Sequence, residues 1–332
     1  MNGPQMSSID MGLSACRTLP VTVVICAYTE DRWQQTRGAV ASVLAQSPPP
    51  EQMILVIDHN SGLAERARRE LSGVTVLESE DSPGLSGARN TGLRKASQSI
   101  TAFLDDDAEA RPDWLSSLVE PYSNPKVVAT GGSVWPRWPV TRPNWLPPTF
   151  DWVVGCSYVG LPQVPSAVRN PIGANMSVRT DAALEAGAFD GGIGRVGVRP
   201  RGCEETELAI RLANRRPGSM VWYVPAATVD HHVHADRLRF SYFVRRCWHE
   251  GQSKAYVVRL AGASAGLQSE RRHAAVVIPV AIISDLRTAC HGHVMSLVKV
   301  GAMLTGIAVT ALGYLAGSRR AIPFRPARDG SR

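Results

Sequence analysis

From residue 21 onward, short and nearly continuous apolar runs alternate with mixed stretches. Residues 21–27, Val-Thr-Val-Val-Ile-Cys-Ala, are β-branched and apolar at almost every position, which predicts a strand buried on both faces of a parallel sheet. A helical stretch follows at 32–45, then a second buried strand at 52–57 that ends in the polar turn Asp58-His59-Asn60-Ser61-Gly62. The pattern continues with a helix at 64–71, a strand at 74–77, a helix at 87–96 and a strand at 99–104. Strands alternating with helices imply right-handed crossovers and a doubly wound α/β sheet, in which ligands collect beyond the carboxyl ends of the strands. The polar clusters after those strands are therefore the first places to look for chemistry.

Residues 136–171 are rich in Pro and Trp, too punctuated for regular structure, and read as a long shaped loop over a site. Beyond them come a helix at 180–186, a Gly-rich segment at 191–202 and a helix at 204–214. The end of the chain changes character. Residues 274–283 are apolar but, at this length, too short to span a bilayer, whereas 294–317 is a longer apolar stretch with Lys299 as its one charge and Arg319-Arg320 behind it. That stretch is open to three readings: a spanning helix, a membrane-lying helix or hairpin, and a soluble packing helix. The organisation expected is a flexible terminus at 1–20, a catalytic domain at 21–255 with halves at 21–130 and 131–255, and a helical, membrane-associated region at 256–332.

Composition narrows the class. With 44% hydrophobic and 20% charged residues in 332, the chain is globular, not disordered or fibrous. The six cysteines are spread singly, with no C-x-x-C pair, which favours a reducing, cytosolic setting over a disulfide framework. Residues 1–20 lack the apolar run of a signal peptide. The net charge of +7 gathers after residue 195 beside apolar stretches, without interleaved aromatics, which points to an anionic membrane surface and away from nucleic acid.

The strongest chemical signal is Phe103-Leu104-Asp105-Asp106-Asp107-Ala108, three carboxylates in the turn after a buried strand. Adjacent acids repel one another, so a hard divalent cation such as Mn²⁺ or Mg²⁺ is their natural compensation; a solvated acidic turn is the plainer account. Upstream stands Ser82-Pro83-Gly84-Leu85-Ser86-Gly87-Ala88-Arg89-Asn90-Thr91-Gly92. This run, the acidic turn, the first strand ending in Cys26-Ala27-Tyr28-Thr29 and the second ending in Ile57-Asp58-His59-Asn60 together resemble the nucleotide-binding half of family 2 glycosyltransferases with the GT-A fold. The resemblance covers about residues 21–254.

That resemblance implies site residues. Tyr28 and Asp58 would hold the nucleobase, Glu30 or Asp31 would reach the ribose, and Arg89 would lie near the diphosphate. Asp105 and Asp106 would contact the nucleotide, with Asp105 and Asp107 also serving the metal. Gly173, Ala174 and Asn175 match a segment lining the donor-sugar and acceptor pocket. Glu204-Glu205 occupies the place of a Glu-Asp pair whose second acid is the general base; the change of Asp to Glu leaves open which of the two acts. Of His231, His232 and His234, His232 is the preferred further metal ligand. The segment around Arg245 and Arg246 resembles one that closes over donor phosphates, and reads equally well as a basic, membrane-facing helix.

The implied activity is inverting transfer of a sugar from a nucleotide diphosphate donor, a UDP-sugar being favoured with dTDP and GDP open, to an acceptor hydroxyl. The acceptor is a polyprenyl-linked or cell-surface glycan, or a soluble secondary metabolite. The expected location is the cytoplasmic, inner face of the cell membrane, peripheral or with a single C-terminal span. Two rivals remain. A nucleotidyltransferase would need a Gly-rich loop with a lysine after the first strand, where Tyr28-Thr29-Glu30-Asp31-Arg32 stands instead. A catalytically silent sugar-nucleotide-binding or scaffold protein would be hinted at by the Glu-for-Asp change alone.

Overall fold

The computed structural model describes residues 19–194 and 202–319, so most of the expected N-terminal stretch, much of the Gly-rich segment and Arg320 lie outside the described residues. Among the described residues, nine strands form one sheet: β1 (Val21–Ala27), β2 (Gln52–Ile57), β3 (Thr75–Glu78), β4 (Ile100–Asp105), β5 (Ala108–Ala110), β6 (Val127–Arg137), β7 (Ser166–Val168), β8 (Asn175–Arg179) and β9 (Met220–His232). Their order is β3-β2-β1-β4-β8-β6-β9-β5, with β7 also on β9. The first four strands pair in parallel; β8 enters antiparallel between β4 and β6, and β6 and β9 are parallel again.

The sheet is doubly wound because its apolar strands alternate faces. Val23, Ile25, Leu55 and Ile57 point into one core, beneath α1 (Trp33–Leu44) and α2 (Ser61–Glu70). Val24, Ile54, Val56 and Phe103 point into the other, beneath α3 (Leu85–Lys95), α5 (Thr180–Glu185) and α6 (Glu204–Arg215). The short α4 (Trp114–Val119) buries Trp114 and Leu118 on the first side.

Helix boundaries move where a side chain caps the end. The polar turn after β2 is itself the start of α2, since Asn60 Oδ1 accepts the Leu63 N–H at 3.1 Å and brings the helix forward from 64 to Ser61. At α3 the cap is Gly84, whose φ of 129° suits glycine alone, and whose N–H donates to Asp58 Oδ2 at 2.8 Å.

Residues 136–171 differ from the expected loop. Pro136 and Arg137 complete β6, the stretch Pro148–Val154 is a 3-10 helix, and Leu146, Phe150, Val153 and Val154 are core residues. Trp145 packs edge-on against Phe240 and Phe243. The segment is a packing layer beneath the C-terminal helices α7 (Phe240–Gly266), α8 (Gln268–Arg272), α9 (Ile278–Cys290) and α10 (Met295–Arg319). The apolar run at 274–283 also needs correction as an isolated ten-residue element. A π-turn at His273–Val277 joins α8 to α9, giving a helix of 22 residues, Ser269–Cys290, and both this helix and α10 are long and apolar enough to cross a membrane by length and composition.

Candidate functional site

The parallel strands end at one edge, and the acids predicted from sequence stand there together. Cys26 pairs with both Val56 and Asp105, so Tyr28, Asp58 and Asp105 project from the carboxyl ends of β1, β2 and β4. Tyr28 is exposed, with the Arg32 guanidinium 4.7 Å from its ring centroid. Asp58 is half-buried; Oδ1 lies 2.7 Å from His59 Nδ1, and Oδ2 is taken by Gly84. Glu30 is exposed and paired with Arg66 at 3.3 Å, away from the acidic turn.

The turn after β4 is the centre of the cluster. Asp106 Oδ1 and Asp107 Oδ2 each accept from Arg32 Nη1 at 2.8 Å. Asp107 also faces Arg237 at 3.6 Å and His231 Nε2 at 3.3 Å. Burial pushes the Asp107 carboxyl upward, but His231, Arg237 and Arg32 outweigh it and hold the group well below the usual carboxylate range. Asp107 Oδ1 is buried and accepts no hydrogen bond.

Asp105, Asp107 and His231 each offer one ligand atom, all within 4.8 Å of one another. Two carboxylates and an imidazole suit a hard-to-borderline divalent cation, and the buried Asp107 Oδ1, which makes no hydrogen bond and has His231 Nε2 beside it at 3.3 Å, is an acceptor ready for one. The residues present fit a metal.

The histidine in this group is His231, whereas the sequence reading favours His232. Neighbours on a strand face opposite ways: with His231 turned to Asp107, His232 Nε2 meets Glu109 at 2.9 Å and Arg137 at 3.1 Å instead. The tie between the two segments is backbone, His232 N–H to Asp107 O at 2.7 Å.

Arg89 links this edge to the second half of the chain. It is 2% exposed; Nη1 donates to Glu204 at 2.9 Å, and Nη2 to Asp105 at 3.1 Å and to the Gly173 carbonyl at 2.8 Å. A guanidinium so engaged is a bracket between the acidic turn and the Glu pair, unlike the open phosphate contact expected of it. Glu204 Oε2 is buried and accepts no hydrogen bond. Glu205, half-buried, is pushed up to about 7, first by burial and then by the adjacent Glu204 carboxylate. Both sit in the first turn of α6, after Cys203, which caps the helix with a φ of 79°.

The predicted pocket segment divides. Gly173 touches the site through its carbonyl, and a Cβ there would lie 3.2 Å from Arg89 Nη2. The Ala174 carbonyl accepts from the Asp105 backbone at 3.3 Å. Asn175 is fully buried, its amide donating to Ser133 O and Ala227 O while its oxygen accepts from Trp114 Nε1 at 2.8 Å. It ties β8 to β6 and β9 and has no polar atom free to line a pocket.

Residues 81–84 and the first turns of α3, to Asn90, face Gly191 and Ile193 across a cavity of about 170 Å³, where Ser86 Oγ donates to Ile193 O at 2.7 Å. Arg32 and Arg237 are residues that sequence reasoning did not assign to the acidic turn. The only signal for Arg32 is its place just past the first strand; Arg237 looked like part of a basic surface run.

Comparison with known proteins agrees with this geometry. The sequence model described as Glycosyl transferase family 2 matches residues 22–185. A glucosyl-dolichyl phosphate glucuronosyltransferase from Haloferax volcanii is 35% identical over 240 residues, covering 71% of this chain and 76% of the relative. The succinoglycan biosynthesis protein ExoM of Rhizobium meliloti is 24% identical over 271 residues, 75% of this chain and 82% of its own. Among solved structures, the mannosyltransferase PcManGT from Pyrobaculum calidifontis, in complex with GDP-Man and Mn²⁺, superposes with a TM-score of 0.58 at 18% identity, covering 90% of this chain and 88% of that one. GalNAc-T7 with UDP, GalNAc and Mn²⁺ gives 0.53 at 17% identity, covering 77% and 54%.

Proposed function

This chain belongs to glycosyl transferase family 2, and we propose that it moves a sugar from a UDP-sugar to the hydroxyl of a polyprenyl-phosphate-linked sugar at the inner face of the cell membrane. The observation that carries the reading is the bracket at Arg89, which holds the acidic turn and the Glu204-Glu205 pair at one sheet edge. Transfer needs leaving-group stabilisation and proton removal side by side.

Asp105, Asp107 and His231 would hold Mn²⁺ or Mg²⁺, which when bound neutralises the charge that develops on the departing diphosphate. Tyr28 and Asp58 bind the base, and Arg32 braces Asp106 and Asp107 while lying over the Tyr28 ring. Arg89 holds the Glu204 carboxylate in place at 2.9 Å, which leaves Glu205 as the group that takes the acceptor proton. With an affinity for protons near neutrality, Glu205 is matched to that task at physiological pH. Membership of the family supports inversion, with Glu205 as the one base and no separate nucleophile assigned among the described residues. Support for the acceptor class comes from the Haloferax relative, whose name joins a glucuronosyl group to a glucosyl-dolichyl phosphate, and from the apolar C-terminal helices.

The test is transfer from UDP-, GDP- and dTDP-sugars to a polyprenyl-phosphate-linked glucose, with Mn²⁺ and with chelator. Metal-dependent product from a UDP-sugar is expected. Product from GDP- or dTDP-sugars alone would refute the donor, and transfer only to water-soluble acceptors would refute the acceptor.

A further inference from the structure

The C-terminal helices carry an apolar outer surface whose orientation the packing constrains. Leu297, Leu304 and Leu315 are 51%, 55% and 51% exposed, and with Ala308 and Ala311 they lie on one stripe down the whole of α10. The opposite stripe, Ala302, Gly306, Gly313 and Gly317, is buried. It is buried against the catalytic domain. A Cβ on Gly306 would lie 2.4 Å from the Phe150 ring, one on Gly313 would lie 2.2 Å from Trp248 O, and one on Gly251 would lie 2.1 Å from Thr310 O. Farther along, Gly317 meets Gln252 and Ala255, and Arg259 donates to Gly317 O at 2.7 Å. From 306 to 317, then, α10 runs beside α7 from 243 to 259, in the same direction.

At those same levels α7 carries charge. Arg246 pairs with Glu250 at 2.7 Å, Lys254 with Glu250 at 3.2 Å and with Glu270 at 2.7 Å, and Cys203 Sγ, at the start of the catalytic α6, donates to Glu250 at 3.5 Å. If α10 stood across the hydrocarbon, this ion cluster and the Glu204-Glu205 pair beside it would be carried to the same depth, where ionised groups are costly. The preceding helix is constrained too. Its start is tied to the domain by Glu270 with Arg169, and its apolar run lies between Arg271-Arg272 and Asp285-Leu286-Arg287. The twelve residues between those charges, 273–284, reach about 18 Å as helix, short of a hydrocarbon core of about 30 Å, so a crossing by the whole 22-residue helix would draw Asp285 and Arg287 or Arg271 and Arg272 into it. From 271 to 319 the chain holds Arg271, Arg272, Arg287, Lys299 and Arg319 against the single acid Asp285.

Resting on the membrane reading above, we infer that α9 and α10 lie in the plane of an anionic bilayer, with their apolar faces sunk into one leaflet, and that neither helix crosses it. The basic residues rim the inserted face and meet lipid headgroups. The catalytic edge stays in water, at the height where a lipid-linked sugar emerges.

Nitroxide depth measurement decides between lying and crossing. Leu297→Cys, Leu304→Cys and Leu315→Cys, each in the full chain with Cys16 and Cys290 replaced by Ser, are spin-labelled and added to vesicles of phosphatidylcholine with phosphatidylglycerol. Residues 297 and 315 are about 27 Å apart along the helix. Lying in the plane predicts one common, shallow depth for all three labels, and binding at least tenfold weaker to pure phosphatidylcholine. A depth that starts at one headgroup for 297, reaches the centre at 304 and ends at the far headgroup for 315 would overturn the inference. So would three labels that stay in water, including the case where a second copy covers the stripe and the labels couple to each other. The measurement uses no donor or acceptor, so failure of the sugar-transfer reading leaves its result unchanged. Conversely, transfer to a soluble acceptor can persist if the helices do not insert.

Discussion

Two clusters of charge meet at the start of α6, one through Glu204 and the other through Cys203, and they are built to opposite ends. At the sheet edge, Asp105, Asp106, Asp107, Glu204 and Glu205 face Arg32, Arg89 and Arg237, and two buried acceptor atoms, Asp107 Oδ1 and Glu204 Oε2, receive no hydrogen bond. On α7, Arg246, Lys254 and Arg169 meet Glu250 and Glu270 in ion pairs of 2.5 to 3.2 Å, with every one of these side chains paired. The first cluster has negative charge to spare, as a site for a cation and a phosphate-bearing substrate needs. The second is closed, and holds the C-terminal helices on the domain. Burying charge is costly in both places, but only the first keeps an excess of acid together with buried acceptors that no hydrogen bond satisfies, and that is the physical mark of function.

The comparison can be broken most sharply at Asp107. Asp107→Ala should reduce metal-dependent transfer by about 10²–10³-fold or more, as read by product formation over a Mn²⁺ series. Wild-type turnover would remove the acidic turn from catalysis. Glu205→Gln comes next, with transfer slowed about 10²–10⁴-fold and UDP binding unchanged by calorimetry.

The pH profile sharpens the same assignment. Because the Glu205 carboxyl is raised to about 7, it is protonated below that pH and cannot accept the acceptor's proton. kcat/KM should therefore fall about tenfold per pH unit on the acid side of about 7. A profile flat to pH 5 would point away from Glu205.

The closed cluster should answer with stability instead of chemistry. Lys254→Ala leaves Glu250 and Glu270 without their shared cation and should cost about 3–5 kcal/mol in denaturant unfolding, while kcat of the folded fraction, read on the alkaline plateau where Glu205 is ionised, holds. Lys254 and Arg246 hold the Glu250 carboxyl down to about 2 against the opposing effect of burial. Its contribution to stability is thus present above its ordinary value of 4.5 and is lost as the pH falls toward 2. The smallest effect belongs to Gly251→Ala, whose added methyl meets the α10 backbone and should cost about 1–3 kcal/mol without altering donor binding.

The two regions also differ in how much could be read from the chain. β1 and β2 match their predicted bounds because a strand buried on both faces is written locally, in consecutive apolar residues. The acids at the strand ends followed from the same logic. The choice between His231 and His232 did not. β9 carries an irregularity opposite Gly132 and Ser133, where its partner jumps from Val224 to Thr228, and such an insertion changes which face each later residue takes. Asn175 was misread for a related reason: its polar side chain serves β6 and β9, strands distant in sequence, and only the assembled sheet provides those partners. The C-terminal helices were read by hydrophobicity alone, which cannot tell a lipid-facing stripe from one packed on α7.

The central claim is that Asp105, Asp107 and His231 form the cation site on which nucleotide binding depends. It is tested most directly by titrating UDP, with and without Mn²⁺, into His231→Ala and His232→Ala proteins, with the wild type as reference. The account predicts that His231→Ala loses the Mn²⁺-dependent gain in UDP affinity while His232→Ala keeps it. Retention in His231→Ala together with loss in His232→Ala would contradict it.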